Sequence, residues 1–462
     1  MFALKMLTCD ILDCHNAPVR YSIAMGCCHR RLCSKHQSPP FHDCPKSEDD
    51  WDAFCKAFVK TENFELVTLQ QRIDPIQLAN IASSLRNDIP CTIPALVATT
   101  ANRPQLSKMM GGMNVHLDIL FDDNVVWLAR IQRTTAVTPP PAVQNHILLS
   151  EFATLLYLNR IGVPTPVVHG YGITADPNGV DVNYILMDKL QASPLKWYDL
   201  GSDQRRRVLH QLANIFITLD HHSFRQSGSI IQPHASIGAF ADRVIFEPNY
   251  SQRLDLLGPF TSLRQHLDHT IGCYLRLIES SQWAVSDPVT SYLIYRTVLD
   301  AYPRILSAES MNSDLFCLRH QDDKGDHILV NDQLDVIGII DWEWSKVVAK
   351  SFAFAAPLML LPLEFDNGNN LLSQDEEELA RIFDSLGRSD MALCVRHGRA
   401  YHRISFILDN GDRPEACKPH MKGLFQLLGN ESWEWETWRP DALRIYQSEH
   451  ALQALLDNQV LH

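Results

Sequence analysis

Helical spacing is the first pattern along the chain. Phe64, Leu66, Leu69 and Ile73, then Ile76, Leu78, Ile81 and Leu85, recur on one helical face, and Pro75 divides them into two short helices. From Val115 the period changes to two. Residues 115–121 and 125–131 alternate around Asp122-Asp123-Asn124, a hairpin signal, with Gly111 and Gly112 just before the first strand. Residues 145–161 return to helical spacing, with Ile147, Phe152, Leu155, Leu156 and Leu158 on the apolar side. Residues 167–175 and 182–187 read as strands joined across Pro177-Asn178-Gly179. Beyond Met187 the chain becomes helix-rich. Ser202 is expected to cap a helix whose face runs from Val208 to Leu219. Residues 224–300 read as mostly helical, and Ser373 with Glu376 forms a capping box opening another helix. Trp433, Trp435 and Trp438 are expected as core or lid residues. Between these helices, apolar strands flank a polar loop over residues 315–331, and a hairpin then delivers Asp341.

Composition narrows the class. At 462 residues the chain is long enough for about two to four domains. With 45% hydrophobic and 21% charged residues it has the balance of a water-soluble globular protein. The net charge of −13 argues against nucleic acid as a main partner. The longest apolar run, residues 352–363, is broken by Pro357 and Pro362 and is too short to span a bilayer. Asp10 and Asp13 interrupt any basic-then-apolar leader. The expectation is a protein of the cytoplasm or nucleus with no membrane association.

Cysteine placement changes the picture more than charge does. Cys9, Cys14, Cys27, Cys28, Cys33 and Cys44 are half of the 12 cysteines, and His36 and His42 lie among them. That makes enough ligands for two tetrahedral zinc sites. A segment of about 45 residues is too small for a convincing apolar core, so metal would supply its folding energy. The stretch from Cys28 to Cys44 resembles the AN-one type zinc finger, in which two zinc ions are bound in interleaved fashion. The resemblance implies one site of Cys9, Cys14, Cys33 and His36, and another of Cys27, Cys28, His42 and Cys44. Two departures are visible: four residues rather than two separate Cys9 from Cys14, and Cys27 adjoins Cys28. His29 is an alternative to Cys27, and the zinc count stays at one or two. On a second reading of the chain, such a finger would dock a protein partner.

The polar loop carries the densest chemistry. His320-Gln-Asp322-Asp-Lys-Gly-Asp326-His327 leads into an apolar strand, and Ile340-Asp341-Trp342-Glu343 follows the hairpin. Asp322 and Asp341 therefore both stand at strand ends, one hairpin apart. One carboxylate can accept a proton from a hydroxyl while the other holds magnesium on phosphate.

These motifs resemble the aminoglycoside phosphotransferase-like kinases, particularly their fungal branch. The resemblance implies His320 and Asp322 as the catalytic pair and Asp341 as the principal metal ligand. His327 falls where that family has a metal-binding asparagine, and Asp326 is an alternative donor. Upstream, Gly111 and Gly112 match the start of the nucleotide-covering strands. Arg130 stands where such kinases place a phosphate-contacting lysine, and Glu151 matches the helix glutamate paired with it. Met187 matches the hinge whose backbone meets adenine. Ala356-Pro357 is followed by Leu358 rather than by the glutamate of a protein-kinase activation segment, which argues against a protein kinase proper.

The expected fold is α+β and protein-kinase-like, with a small β-sheet lobe and a large helical lobe preceded by a small zinc-binding module. The expected divisions are a zinc-finger-like module over 1–46, a helical linker over 47–100, the small lobe over 101–187 and the helical lobe over 188–462. The expected activity is transfer of phosphate from ATP, with Mg2+, to a hydroxyl of a small molecule. The alternative is a catalytically weak, kinase-like binding protein that docks a partner through the finger.

Overall fold

The computed structural model describes residues 9–16, 18–20, 30–37, 40–44, 50–94, 109–135, 138–174, 176, 179–242, 256–283, 285–306 and 314–460. The chain divides into two compact units, one of residues 1–159 and 165–191, the other of 160–164 and 192–462. A small antiparallel sheet dominates the first and helices dominate the second, which is the α+β class expected.

The sheet unit opens with α1 (Trp51–Arg72) and α2 (Pro75–Leu85). The Asp50 and Asp74 side chains accept hydrogen bonds from the first-turn amides of these helices, and Pro75 starts the second. Next come β1 (Cys91–Thr92), β2 (Asn114–Phe121), β3 (Val126–Gln132), α3 (Pro141–Arg160), β4 (Val168–Gly172) and β5 (Tyr184–Asp188). The strands form one sheet in the order β1-β2-β3-β5-β4, every pair antiparallel. Asn124 closes the β2–β3 turn in a left-handed conformation, which asparagine tolerates.

Alternation along β3 sends Trp127, Ala129 and Ile131 into a core shared with Leu66 and Leu69 of α1 and Leu78 and Ala82 of α2. The stretch read from sequence as a helical linker thus covers one sheet face. A spacing pattern shows that a helix has an apolar side without showing what that side meets.

The helical unit contains β6 (Ser193–Pro194), α4 (Ser202–His221), β7 (Ser229–Ile230), β8 (Ile237–Gly238), α5 (Leu263–Glu279), α6 (Pro288–Ile305), β9 (Phe316–Arg319), β10 (Ile328–Val330), β11 (Val336–Ile339) and β12 (Lys346–Ala349). The single turn α7 (Lys350–Ala353) follows, then α8 (Gln374–Ser385), α9 (Ser389–Arg396), α10 (Arg399–Asn410), α11 (Pro414–Gln426), α12 (Trp435–Tyr446) and α13 (His450–Val460). β10 pairs with β11 and β6, and β12 pairs with β9. Ser202 proves to be the first helical residue of α4 rather than its cap. Gly201 precedes it, and the Gln204 side chain accepts from the Gly201 amide. Residues 224–242, expected as mostly helical, instead carry the β7–β8 pair. The capping box at Ser373 and Glu376 is formed. Trp433, Trp435 and Trp438 pack on one another, with Trp433 and Trp438 buried. No described helix is long and apolar enough to cross a membrane.

Candidate active site

β9 ends at Arg319, and the loop from His320 to His327 connects it to β10. The β10–β11 hairpin then brings the chain back to Asp341. Backbone hydrogen bonds hold both ends: the Ile339 amide donates to the Pro164 carbonyl at 2.8 Å and the Ile340 amide to the His327 carbonyl at 2.9 Å. Asp341 follows with φ at 64°, a left-handed conformation that costs a side-chain-bearing residue free energy and that the surrounding bonds maintain.

His320 links the two aspartates. Its Nε2 donates to the Ile340 carbonyl at 2.9 Å, and its Nδ1 accepts from the Asp322 amide at 3.2 Å. A carbonyl can only accept and an amide only donate, so the ring is the neutral Nε2–H tautomer. Burial lowers its pKa, against the charges of Asp323, Asp341 and Asp322. Trp342 meets the ring edge-on at 4.8 Å, and the His327 ring stacks on it at 4.2 Å. Trp342 is itself fixed by an Nε1 bond to the Ile339 carbonyl at 3.0 Å.

The loop's other side chains divide by exposure. Asp322 is partly exposed, and Lys324 pairs with it at 2.9 Å. The pair raises the Lys324 pKa, and Asp326 and Asp341 add to the effect, so four charged groups share one neighbourhood. Asp323 is buried. It accepts from the Leu358 amide at 3.1 Å and lies 3.6 Å from Arg319, while burial raises its pKa. Gly325 takes φ at 108°, and a Cβ there would stand 3.1 Å from the Met359 sulfur, so only glycine fits without adjustment. Asp323 and Lys324 were not singled out from the sequence, although their place beside Asp322 was the available signal.

His327 is only 8% exposed, and its Nδ1 accepts from the Gly325 amide at 3.3 Å. Burial, with the neighbouring His320 and Lys324, pushes its pKa down to about 2. With Leu212, Leu219 and Ile328 it lines a small apolar cavity of about 30 Å³. Nδ1 being engaged, Nε2 is the ring atom left for a metal.

In the sheet unit, Arg130 and Glu151 form a buried ion pair with Nε 3.1 Å from Oε1. Arg130 Nη1 also lies 3.4 Å from His116 Nε2, its partner across β2 and β3. Gly111 and Gly112 stand just before β2, and the buried Arg133 donates to both carbonyls, at 3.2 and 3.4 Å. Arg133 also pairs with Glu62 and Glu65 of α1, a tie that no spacing signalled. Met187 is buried in β5 between Leu128 and Val168. Beside it Asp188 meets His169 at 2.7 Å, and that imidazole stacks on Trp127 at 3.7 Å.

The N-terminal cluster is partly described. The ligand atoms of Cys9, Cys14, Cys33 and His36 all lie within 4.8 Å of one another. Cys14 Sγ is 3.9 Å from Cys33 Sγ, Cys9 Sγ is 3.2 Å from His36 Nδ1, and Cys33 Sγ is 3.5 Å from the same nitrogen. Zinc–sulfur bonds of about 2.3 Å in a tetrahedron imply sulfur separations of about 3.8 Å, so the donor set fits zinc. Local turns build it: the Cys9 amide donates to the Asn16 carbonyl, the Cys14 amide to Ile11, and the His36 amide to Cys33. Cys27, Cys28 and His29 lie outside the described residues. His42 Nδ1 lies 3.0 Å from the Gln37 carbonyl.

No protein-family model matches the chain, and a search of curated proteins finds no match. Solved structures are similar to it at low identity. One is a candidate aminoglycoside phosphotransferase from Ralstonia eutropha JMP134, at 13% identity, covering 83% of this chain and 99% of that one with a TM-score of 0.45. Another is a thermostable variant of aminoglycoside phosphotransferase APH(4)-Ia in ternary complex with AMP-PNP and hygromycin B, at 14% identity, 78% and 99% coverage and a TM-score of 0.42. A third is the macrolide 2'-phosphotransferase type I, at 18% identity, 76% and 96% coverage and a TM-score of 0.35.

Proposed function

We propose that this protein transfers phosphate from ATP to a hydroxyl of a small molecule. The observation that carries the reading is the His320 bridge, which ties the Asp322 amide to the residue before Asp341 and sets two carboxylates about one neutral imidazole. Asp322 is the base that accepts the hydroxyl proton as the oxygen attacks phosphorus. His320, with both ring nitrogens committed to backbone, positions that base rather than carrying a proton itself.

The exposed carboxylates of Asp341 and Asp326 are hard oxygen donors of the kind magnesium takes. Asp341 is the principal ligand, and His327 is a poorer one than an oxygen. Bound there, Mg2+ would neutralise charge on the phosphate oxygens. The resemblance assigns Arg130 with Glu151 to phosphate, Gly111 and Gly112 to covering the nucleotide, and Met187 to adenine. Cys9, Cys14, Cys33 and His36 hold one structural zinc ion, and His42 and Cys44 belong with Cys27 and Cys28 to a second.

The alternative, a weakly catalytic protein that binds a partner through the finger, draws on one feature: Lys324 pairs with Asp322, the proposed base, at 2.9 Å. Thermal melting with ATP, with and without magnesium, separates the two. The phosphotransferase reading requires stabilisation that depends on magnesium and on Asp341. No shift at millimolar nucleotide contradicts it.

A further inference from the structure

A cavity of about 300 Å³ lies wholly within the helical unit, between α5, β12 and α10. That is the small end of the range for ligand pockets, roughly 300–1,000 Å³. Gln321, the residue before the proposed base Asp322, lines its wall.

Its charges are few and internally satisfied. Asp409 is the one carboxylate lining it, against two cations, Lys346 and Arg319. Lys346 meets Asp242 at 2.9 Å, and although burial works against its charge, Asp242 and Asp409 hold its pKa above the ordinary value. Arg319 donates to the Phe352 carbonyl at 2.7 Å and faces Asp323 at 3.6 Å. The lining histidines add no cation, since burial holds His266 and His402 neutral, each at about 3. The walls are aromatic: Tyr274, Phe352, Phe365 and Phe406 all face the space.

A polycation entering this space would lose its hydration and find a single carboxylate, Asp409, for its several charges, the two lining cations being already paired with Asp242 and Asp323. A flat apolar group would find four rings to pack on, and a hydroxylated one would find neutral hydrogen-bonding groups in Thr270 and Ser405. We propose that the cavity takes an uncharged, hydroxyl-bearing molecule with one flat apolar face, about the size of an aryl glycoside, and disfavours polyamines. The proposal rests on the phosphotransferase reading only in naming this molecule as the phosphate acceptor.

The test is titration calorimetry on the full chain without nucleotide, with phenyl β-glucoside as the neutral probe and kanamycin as the polycation. Phenyl β-glucoside should bind, and Ser405→Trp, which fills the cavity from a half-buried position, should weaken it about ten-fold or more. Ser405→Ala should weaken it less, by about five-fold at most, as the loss of one hydrogen bond implies. Kanamycin binding more tightly than the glucoside overturns the proposal, as does a glucoside affinity unmoved by Ser405→Trp or absent at about 10 mM. If Ser405→Trp does not fold, the comparison of the two probes on the unaltered chain decides alone. Mg-ATP melting on the same preparation reports the phosphotransferase reading separately, so either can fail while the other stands.

Discussion

The imidazole of His320 donates to the carbonyl of Ile340 at 2.9 Å, joining the end of one strand to the residue before Asp341. The same ring receives the Asp322 amide on its other nitrogen. One side chain therefore ties together the backbone segments that carry the two carboxylates on which the proposed chemistry depends.

Removing that ring should loosen both. His320→Ala leaves the Ile340 carbonyl and the Asp322 amide without their partner, at a cost of about 1–3 kcal/mol. Urea denaturation should show this loss, and turnover should fall while Mg-ATP still raises the melting temperature. Unchanged stability and turnover would remove His320 from the account.

Zinc should be present in the purified protein. Elemental analysis is expected to find one or two ions per chain, and Cys33→Ser should release at least one, because it breaks the described tetrad. A folded protein without zinc would refute the N-terminal assignment.

Glu376 makes a buried two-pronged ion pair with Arg399, at 2.7 and 2.6 Å, beside its role in the capping box. Glu376→Ala strands a buried guanidinium and should cost about 3–5 kcal/mol. Calorimetric unfolding of the variant checks this, and a loss under about 1 kcal/mol would contradict the pairing's importance.

Acid should destabilise the helical unit before it reaches the carboxylates. Burial, with the nearby cations Lys346 at His266, Arg319, Arg399 and Arg403 at His402 and Arg403 at His420, holds all three histidines at about 3, below their ordinary 6.5. The unfolded chain binds more protons between these values, so stability is full above pH 6.5 and is lost as pH falls towards 3. Each histidine removes up to about 1.4 kcal/mol per pH unit in that window. Denaturant midpoints at pH 7.5 and 5 should differ accordingly, and His402→Gln should flatten the dependence.

Local patterns in the chain were enough to place the small sheet, its pairing helix and the two aspartates. Alternation around Asp122-Asp123-Asn124 marked the β2–β3 hairpin, whereas the pairing of Glu151 with Arg130 was implied by the family resemblance and not by spacing. Long-range partnerships were not legible. Glu376 reads as a cap residue alone, and its tie to Arg399, 23 positions on, appears only in the fold. Lys324 reads as one loop charge among several until it pairs with Asp322. The 300 Å³ cavity draws its walls from His266 to Asn410, residues that no spacing rule groups. At α4 the error was local: serine and glycine both precede helices well, and only backbone geometry shows which lies outside the first turn.

The measurement that tests the central claim most directly is ADP release from Mg-ATP across a panel of small hydroxylated compounds, comparing the unaltered chain with Asp322→Asn. The account predicts acceptor-dependent turnover that falls by about 100-fold or more in Asp322→Asn, with Mg-ATP stabilisation retained. Equal turnover in the two proteins, or none from the unaltered chain with any acceptor, would contradict it.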